Sequence, residues 1–373
     1  MNTFRMILLS AATLTLAASC LEEKDAYNAG FFFRKPASAV TTVYANTPGD
    51  TVSLFSYGNW SVSRENGAWC TVATTSGRGN NWYTFPVTFE QNTTGEGRNV
   101  RFNFTDTDHP GDASAAIVYW QYATRGDGTL GSAPDVKTIS GTDGSQFVLA
   151  YDALHRPTSL RISKEGMQTR NLSLTYDDRD SLLIVADGSK RLVSASYDRD
   201  CQPLVLTGST DTITYETQYY SNGYPMAANY AFNLVHKTMT GQNTYYALLL
   251  GGQSLMPDSL HCADSLRIAT VGTDNVAEVK KWKLTYSQDD NRRQSVDVNQ
   301  LIFGTEQCDP YQLLSLFRYT RNTSIVREMS NGDDGYEVEV ELNANHSVSK
   351  MRIMRKSNGV SLPDTPLEYT FEY

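Results

Sequence analysis

The sequence predicts an all-β protein built in two parts. Three observations carry that prediction. Short runs that alternate apolar and polar residues fill most of the 373 residues, with 22 tyrosines and 26 glycines among them. Alternation of this kind gives a strand one packing face and one face toward water or a lumen. A stretch rich in Gly, Ser, Thr and Asp, "TRGDGTLGSAPDVKTISGTDGSQ", carries no periodicity and divides the chain near 125–145. Beyond it, Tyr-Asp recurs at the ends of apolar runs, at Tyr151, Tyr176 and Tyr197.

Residues 30–125 hold about seven short runs, among them "TVSLFSY" (51–57), "WYTFPVTFE" (82–90), "NVRFNF" (99–104) and "AAIVYWQYA" (115–123). Their number and spacing suit an immunoglobulin-like β-sandwich. Residues 126–145 read as a linker. Within it, Gly126-Asp127-Gly128-Thr129-Leu130-Gly131 is a literal GxGxxG. A dinucleotide site needs that motif to open a helix after a strand; Ser132-Ala133-Pro134-Asp135 follows instead. Residues 146–373 read as a larger antiparallel meander, a rolled sheet or barrel. In each Tyr-Asp unit the tyrosine ends a strand and the aspartate bonds local amides to set the turn. The triad Asp177, Asp178 and Asp180 in "SLTYDDRDSLLIV" is therefore a hairpin tip, since paired catalytic carboxylates must face one another across a substrate. Tyr286 in "LTYSQDDNRRQSVDV" is a weaker echo. One segment reads helical, "DPYQLLSLFRYT" (309–320). The apolar "LIFG" and "LLSLF" segments (301–317) read as packing filler, with a plug or lid as the alternative.

The first twenty residues read as an export signal. Arg5 precedes an apolar run from Met6 to Ala18 that is too short to span a bilayer. Ala17-Ala18-Ser19-Cys20 resembles the lipobox of bacterial lipoproteins, with Ala17 where leucine is usual. That resemblance implies cleavage after residue 19 and lipidation of Cys20, which would hold the chain at a membrane. The acidic tether at 20–29 opens with Leu21-Glu22-Glu23-Lys24-Asp25 and resembles the surface-export signal of Bacteroidetes lipoproteins. An outer-membrane location facing the cell surface is the expectation, with an outer-membrane protein as a partner there.

A formal net charge of −9 argues against nucleic acid as a partner. Besides Cys20, Cys70, Cys201, Cys262 and Cys308 permit two disulfides in three pairings. No CxxC and no histidine ligand spacing occurs, so neither a metal nor a cofactor is expected. "DTDHPGD" (106–112) reads as a turn, because the alternating oxygens and closing glutamate of an EF-type calcium loop are missing. Nucleophile-elbow, P-loop and HExxH motifs are absent from the sequence, and no catalytic residue is assigned.

The stretch 59–123 resembles a BACON domain, a Bacteroidetes-associated module of carbohydrate-binding repute. The residues carrying this are Trp60 before one strand, Trp69 opening the next, Ser76-Gly77 with Gly79, Asn92 to Gly95 before Arg98, and Gln121 closing the last strand. Asn81 to Thr84 are bulkier than the family pattern, and Cys70 is unusual for it. The resemblance implies glycan binding, with a spacer role as the alternative. Trp60 and Trp69 are assigned to the core. Trp82-Tyr83 and the run Tyr119 to Tyr122 are adjacent aromatics, so alternate members must face outward. Trp82, Tyr83, Trp120 and Tyr122 are the candidate glycan contacts, since aromatic faces stack on pyranose rings.

The region 146–373 resembles the YD repeats of large bacterial surface shells. It is more similar to a Bacteroidetes C-terminal family of unknown function with a porin-like fold. The late hairpins "NGDDGYEVEVELNANHSVSKMRI" and the closing "YTFEY" carry that likeness. Five Asp-hydroxyl-apolar triplets resemble the Bacteroidetes O-glycosylation sequon, at Thr51, Ser181, Thr212, Ser259 and Ser265. The functional expectation is a non-enzymatic, lipid-anchored surface protein that binds glycan. The alternatives are a binder of an apolar or amphipathic ligand inside the second domain, and a structural or adhesive surface protein.

Overall fold

The computed structural model describes residues 30–34, 40–111, 114–176, 182–197, 203–207, 213–216, 232–237, 243–249, 262, 265–271, 277–306 and 321–373. Two compact units divide the chain. The first holds residues 48–90 and 98–120 with the residues before Thr42; the second holds Thr42–Thr47, Gln91–Gly97 and everything from Gln121.

The first unit is a two-sheet sandwich. Its strands are β1 (Phe31–Phe33), β2 (Val40–Val43), β3 (Gly49–Ser56), β4 (Trp60–Glu65), β5 (Cys70–Val72), β6 (Ser76–Gly77), β7 (Asn81–Phe89), β8 (Arg98–Asp106) and β9 (Ser114–Gln121). One sheet runs β1-β3-β7-β5 and the other β2-β9-β8-β4-β6. Alternation decides what lies between them. Val52 and Leu54 of β3, Phe85 and Val87 of β7, and Phe102 and Phe104 of β8 are buried, while their neighbours along each strand face out. Trp60 and Trp69 are both core residues. The Trp60 ring packs on Phe85 at 6.1 Å, Phe104 at 5.7 Å and Tyr83 at 5.2 Å. A side chain at Gly77 would come within 2.5 Å of the Trp60 indole nitrogen, so that position needs glycine. Arg98 covers the Trp69 ring at 4.6 Å.

The second unit contains one sixteen-stranded sheet. Its first half is β10 (Thr138–Gly141), β11 (Gln146–Tyr151), β12 (Pro157–Ser163), β13 (Arg170–Tyr176), β14 (Leu182–Asp187), β15 (Lys190–Tyr197) and β16 (Pro203–Thr207). The rest is β17 (Ile213–Glu216), β18 (Phe232–Lys237), β19 (Asn243–Leu249), β20 (Ser265–Val271), β21 (Ala277–Asp290), β22 (Ser324–Asn331), β23 (Asp334–Leu342), β24 (Val348–Ser357) and β25 (Val360–Glu372). Every pair of neighbours is consecutive in sequence except one: β10 pairs with β25, the first strand with the last. The free ends of the order, β16 and β17, are themselves consecutive. No register pair joins them among the described residues, so the sheet is rolled rather than a closed barrel.

Three hairpins of this sheet share one irregularity. The register shifts at Ala150/Tyr151, Thr175/Tyr176 and Ser196/Tyr197, and the tyrosines pair with Pro157, Leu182 and Pro203. A bulge adds twist and bends the strand, so the recurring tyrosine marks a recurring corner. At the first hairpin the following aspartate sets the turn as the sequence implies. Asp152 accepts hydrogen bonds from the amides of Leu154 (2.9 Å) and Arg156 (3.0 Å), and from Arg156 Nε (2.7 Å). The Arg156 guanidinium lies over the ring of Tyr176, whose hydroxyl donates to the Pro157 carbonyl at 2.7 Å. Asp177, Asp178 and Asp180 lie outside the described residues.

The concave side of the sheet is packed by side chains. Ile139, Leu149, Leu160, Leu172, Met351 and Phe371 join a single buried cluster. A short helix, α1 (Asn299–Phe303), adds Leu301, Ile302 and Phe303 to it; "LIFG" is thus filler, and helical. The segment 309–320, read as the helix, lies outside the described residues. Several outward positions of β22–β25 are charged instead: Lys356 bonds Glu328 at 2.7 Å, and Lys350 and Arg352 both reach Glu368, at 2.8 and 2.6 Å. Membrane barrels carry apolar residues at lipid-facing positions, unlike these ion pairs.

The stretch 126–145 is folded, contrary to the linker expectation. Thr129, Leu130, Ala133 and Val136 are buried, and Thr138–Gly141 is the strand that meets β25. The GxGxxG is a turn, in which Asp127 accepts from the amide and hydroxyl of Thr129, both at 2.9 Å. Composition misled here because turn-forming residues were held by a buried arginine. Arg321, 1 % exposed, donates to Thr129 Oγ1 (2.8 Å) and to the carbonyls of Asn291 (2.5 Å), Gln294 (2.5 Å) and Val296 (2.6 Å). Asp297 is its buried counter-charge. Burial pushes the Asp297 carboxyl up, while Arg321 and the bonds from Asn291, Gln300 and Asn299 pull it down. Replacing Arg321 by alanine strands that acid and those carbonyls. The expected loss is about 3–5 kcal/mol in chemical denaturation; an unchanged midpoint would refute the role given to this residue.

Candidate functional site

The outer face of the β1-β3-β7-β5 sheet carries a row of aromatic side chains. The register aligns Phe32 of β1 with Phe55 of β3, and Phe55 with Trp82 of β7. These three residues share one face and sit on adjacent strands. Two of them are largely in solvent, Phe32 at 60 % and Trp82 at 53 %, and Tyr57 just past β3 is 38 % exposed. Phe55 lies between its neighbours, 5.5 Å from Trp82 and 5.0 Å from Tyr57 by ring centroids. The Phe55 and Trp82 planes differ by 56°, so the row is stepped rather than flat. Arg34 sets its guanidinium 5.2 Å from the Trp82 ring centre and adds donors at the edge of the row. Further along the same face, Ser53 and Thr84 share a hydroxyl bond at 3.1 Å.

Folding leaves these rings outside for a definite reason. The opposite residues of each strand already fill the sandwich: Phe31 and Phe33 both pack on Phe104, at 6.2 and 5.3 Å. Exposed large aromatics in register are a contiguous apolar patch, and such patches mark interaction surfaces.

Of the residues named from sequence, Trp82 alone belongs to this row. Tyr83 points the other way, packs on Trp60, and exchanges hydrogen bonds with the backbone of Arg78 at 2.7 and 2.8 Å. Trp120 is half-buried on β9, in the other sheet. Tyr122 lies against Tyr44 at 6.1 Å. The four named aromatics therefore do not form one site. Phe32, Phe55 and Tyr57 were missed; the signal was present in "GFFFR" and "SLFSY", but register alone shows that they meet Trp82.

The remaining candidates separate cleanly. Thr51 is exposed, on the same outer face as the aromatic row. Ser265 is buried at 4 %, so its hydroxyl is not offered to a modifying enzyme in the folded chain. Ser181, Thr212, Ser259 and Cys20 lie outside the described residues. The 106–112 segment is a turn: Asp106 accepts from the amides of Asp108 (2.9 Å) and His109 (3.1 Å). Asp108 accepts from Asn59, and these bonds hold its carboxyl below the usual range. No group of three or more metal-ligating residues occurs among the described residues. No helix there is long and apolar enough to cross a membrane.

Residues 59–111 match the BACON family model, described as "Putative binding domain, N-terminal". No curated protein matches the chain. Among solved structures, the chain is similar to a Bacteroides ovatus GH5 xyloglucanase in complex with a XXXG heptasaccharide, with 19 % identity and a TM-score of 0.22. That likeness covers 28 % of this chain and 21 % of the xyloglucanase, so the chain spans about a fifth of that protein. It is also similar to porin-like proteins of Bacteroides uniformis and Bacteroides vulgatus, at 11 % and 9 % identity and TM-scores of 0.38 and 0.36. Each of those likenesses covers 64 % of this chain and 98 % of the other.

Cys70 and Cys262 are free thiols, so neither takes part in the disulfides that an even count permits; Cys201 and Cys308 lie outside the described residues. Burial raises the Cys70 thiol from its ordinary value of 9.0 to about 12, against the opposing pull of Arg64 and Arg98. A raised value in the folded state contributes stability below pH 9, lost as pH climbs toward 12. Cys70→Ala should flatten that alkaline decline in unfolding free energy, and Cys70 in the folded wild type should resist alkylation near pH 8. Rapid alkylation of Cys70 without unfolding would contradict its burial.

Proposed function

We propose that this protein is a non-enzymatic, lipid-anchored surface lipoprotein that binds carbohydrate through the outer face of its β1-β3-β7-β5 sheet. The in-register row of Phe32, Phe55 and Trp82 carries this reading. Pyranose rings present apolar C–H faces with polar rims, and aromatic rings stack on those faces while leaving the hydroxyls in water. Successive strands lie about 4.8 Å apart, so the row steps across the sheet in increments comparable to sugar residues along an extended glycan. The 56° step between Phe55 and Trp82 suits a twisted chain better than a flat crystalline surface. The match of residues 59–111 to a family of binding domains supports the same reading.

The row offers affinity rather than catalysis. Stacking acts on the resting sugar and on a distorted one alike, and uniform binding of that kind does not accelerate a reaction. Cys20 supplies the anchor in this proposal, and the acidic tether after it the route to the cell surface.

A panel of soluble plant and host polysaccharides, run as affinity electrophoresis with the full mature chain, tests the proposal. Trp82→Ala and Phe32→Ala should each weaken binding about fivefold or more, on the scale of the ~1–3 kcal/mol lost when an aromatic that stacks on a nucleic-acid base is replaced by alanine. Trp120→Ala, in the other sheet, should leave it unchanged. Binding that survives Trp82→Ala combined with Phe32→Ala, or that is absent across the panel, would end this reading.

A further inference from the structure

The wall of the rolled sheet is forked. The β22–β23 hairpin is paired from Asn331↔Asp334 to Glu328↔Glu337 and no further. Both strands nevertheless continue, β22 back to Ser324 and β23 on to Leu342. Beyond the last pair each follows a different neighbour. β22 stays on β21 through Tyr286↔Val326 and Asp290↔Ser324, across a shift in register. β23 stays on β24 as far as Leu342↔Val348. A cleft of about 690 Å³ occupies the fork, with Ile325 to Arg327 along one side and Val338 to Glu341 along the other.

Two features specify what fits there. The first is backbone. An antiparallel strand turns alternate amides and carbonyls to each side, and here two such edges face one another with no strand between them. Where β22 needs a partner elsewhere, a side chain supplies it: Asn299 Nδ2 donates to the Ser324 carbonyl at 3.0 Å, and Asn299 Oδ1 accepts from the Val326 amide at 2.8 Å. No residue plays that part across the fork among those described. The second is charge. Lys350 and Arg352 on the rim are already held by Glu368, and Arg352 also lies 3.8 Å from Glu339. No ion pair among the described residues falls on the rim acids Asp289 and Glu341 or on the exposed Arg327, so the rim keeps two unpaired acids beside one unpaired base.

We propose that this fork is a strand-addition site for an extended peptide segment bearing basic side chains. The peptide backbone hydrogen-bonds the edges of β22 and β23, and its basic residues lie against Asp289 and Glu341. Recognition of this kind draws affinity from main-chain bonds and selectivity from alternate side chains.

The test uses the full mature chain and a short labelled peptide alternating lysine with valine, read by fluorescence anisotropy and hydrogen exchange. The expected result is saturable binding that slows exchange of amides in 325–327 and 338–342. The same peptide methylated on alternate backbone nitrogens, and its glutamate-for-lysine counterpart, should each bind at least tenfold more weakly. Glu341→Gln at an exposed position and Asp289→Asn at a half-buried one should each weaken the lysine peptide severalfold without moving the melting temperature. Equal binding of the methylated peptide, slowed exchange elsewhere only, or no binding would each overturn the proposal. A fork that instead takes a neutral oligosaccharide, shown by the same exchange pattern, would overturn it as well. None of these outcomes depends on Trp82.

Discussion

The second unit depends on one buried arginine. Arg321 ties the turn at Thr129 to three carbonyls between Asn291 and Val296, drawing together chain segments far apart in sequence. A guanidinium suits this task because its donors spread in a fixed planar fork and it keeps its charge when buried. Burial lowers its pKa, and the charge of Asp297 works against that. The segment it orders leads directly into α1, whose Leu301, Ile302 and Phe303 fill the concave side of the sheet. A second buried arginine continues the pattern. Arg125 donates to Asp135 (3.2 Å) and to the carbonyls of His155 (3.1 Å) and Ala133 (2.8 Å), fastening the entry of β10 to the first Tyr-Asp turn. Buried ion pairs add little net stability over apolar packing, but losing one partner is costly. Their effect here is on specification: they give turn-forming segments one place to go.

The sheet shows why such fastening is needed. A meander of consecutive hairpins is local everywhere, and local pairing alone would leave its first and last strands as open edges. Pairing β10 with β25 moves the opening to β16 and β17. The Tyr151, Tyr176 and Tyr197 bulges bend successive hairpins at equivalent positions, which rolls the sheet instead of letting it extend flat.

Much of this was legible in the sequence because it is written in periods. Alternation gave the strands, and Tyr-Asp recurrence gave the hairpins, since both are local and repeat. Trp60 and Trp69 were legible as core for the same reason. The failures are long-range. The stretch 126–145 has a linker's composition, and nothing local discloses that Arg321, almost two hundred residues later, will bury it. α1 is too short to show a helical period. Trp82 could be named as outward-facing from its adjacency to Tyr83, but which of the pair faced out, and what lay beside it, was decided by register across β1, β3 and β7. Ser265 fitted its triplet perfectly as a word and is buried as a residue; a short motif carries no information about solvent.

The aromatic row also separates what a family match says about this chain from what its surface says. The matched segment, 59–111, contains the residues that build the sandwich: Trp60, Gly77, Phe85, Phe102 and Phe104 are core or needed by the core. It contains Trp82 as well. Phe32, Arg34, Phe55 and Tyr57 lie before it, on or beside two strands that the match does not reach. Core positions are constrained by packing, which any sandwich of this kind must satisfy; an outward face answers only to water and to a ligand. Two chains matched over the same core can therefore differ wholly in what β1 and β3 present beside that tryptophan. Four of the five side chains of the candidate surface lie outside the match, so on the proposed reading the choice of ligand would be encoded mainly in Phe32 to Tyr57.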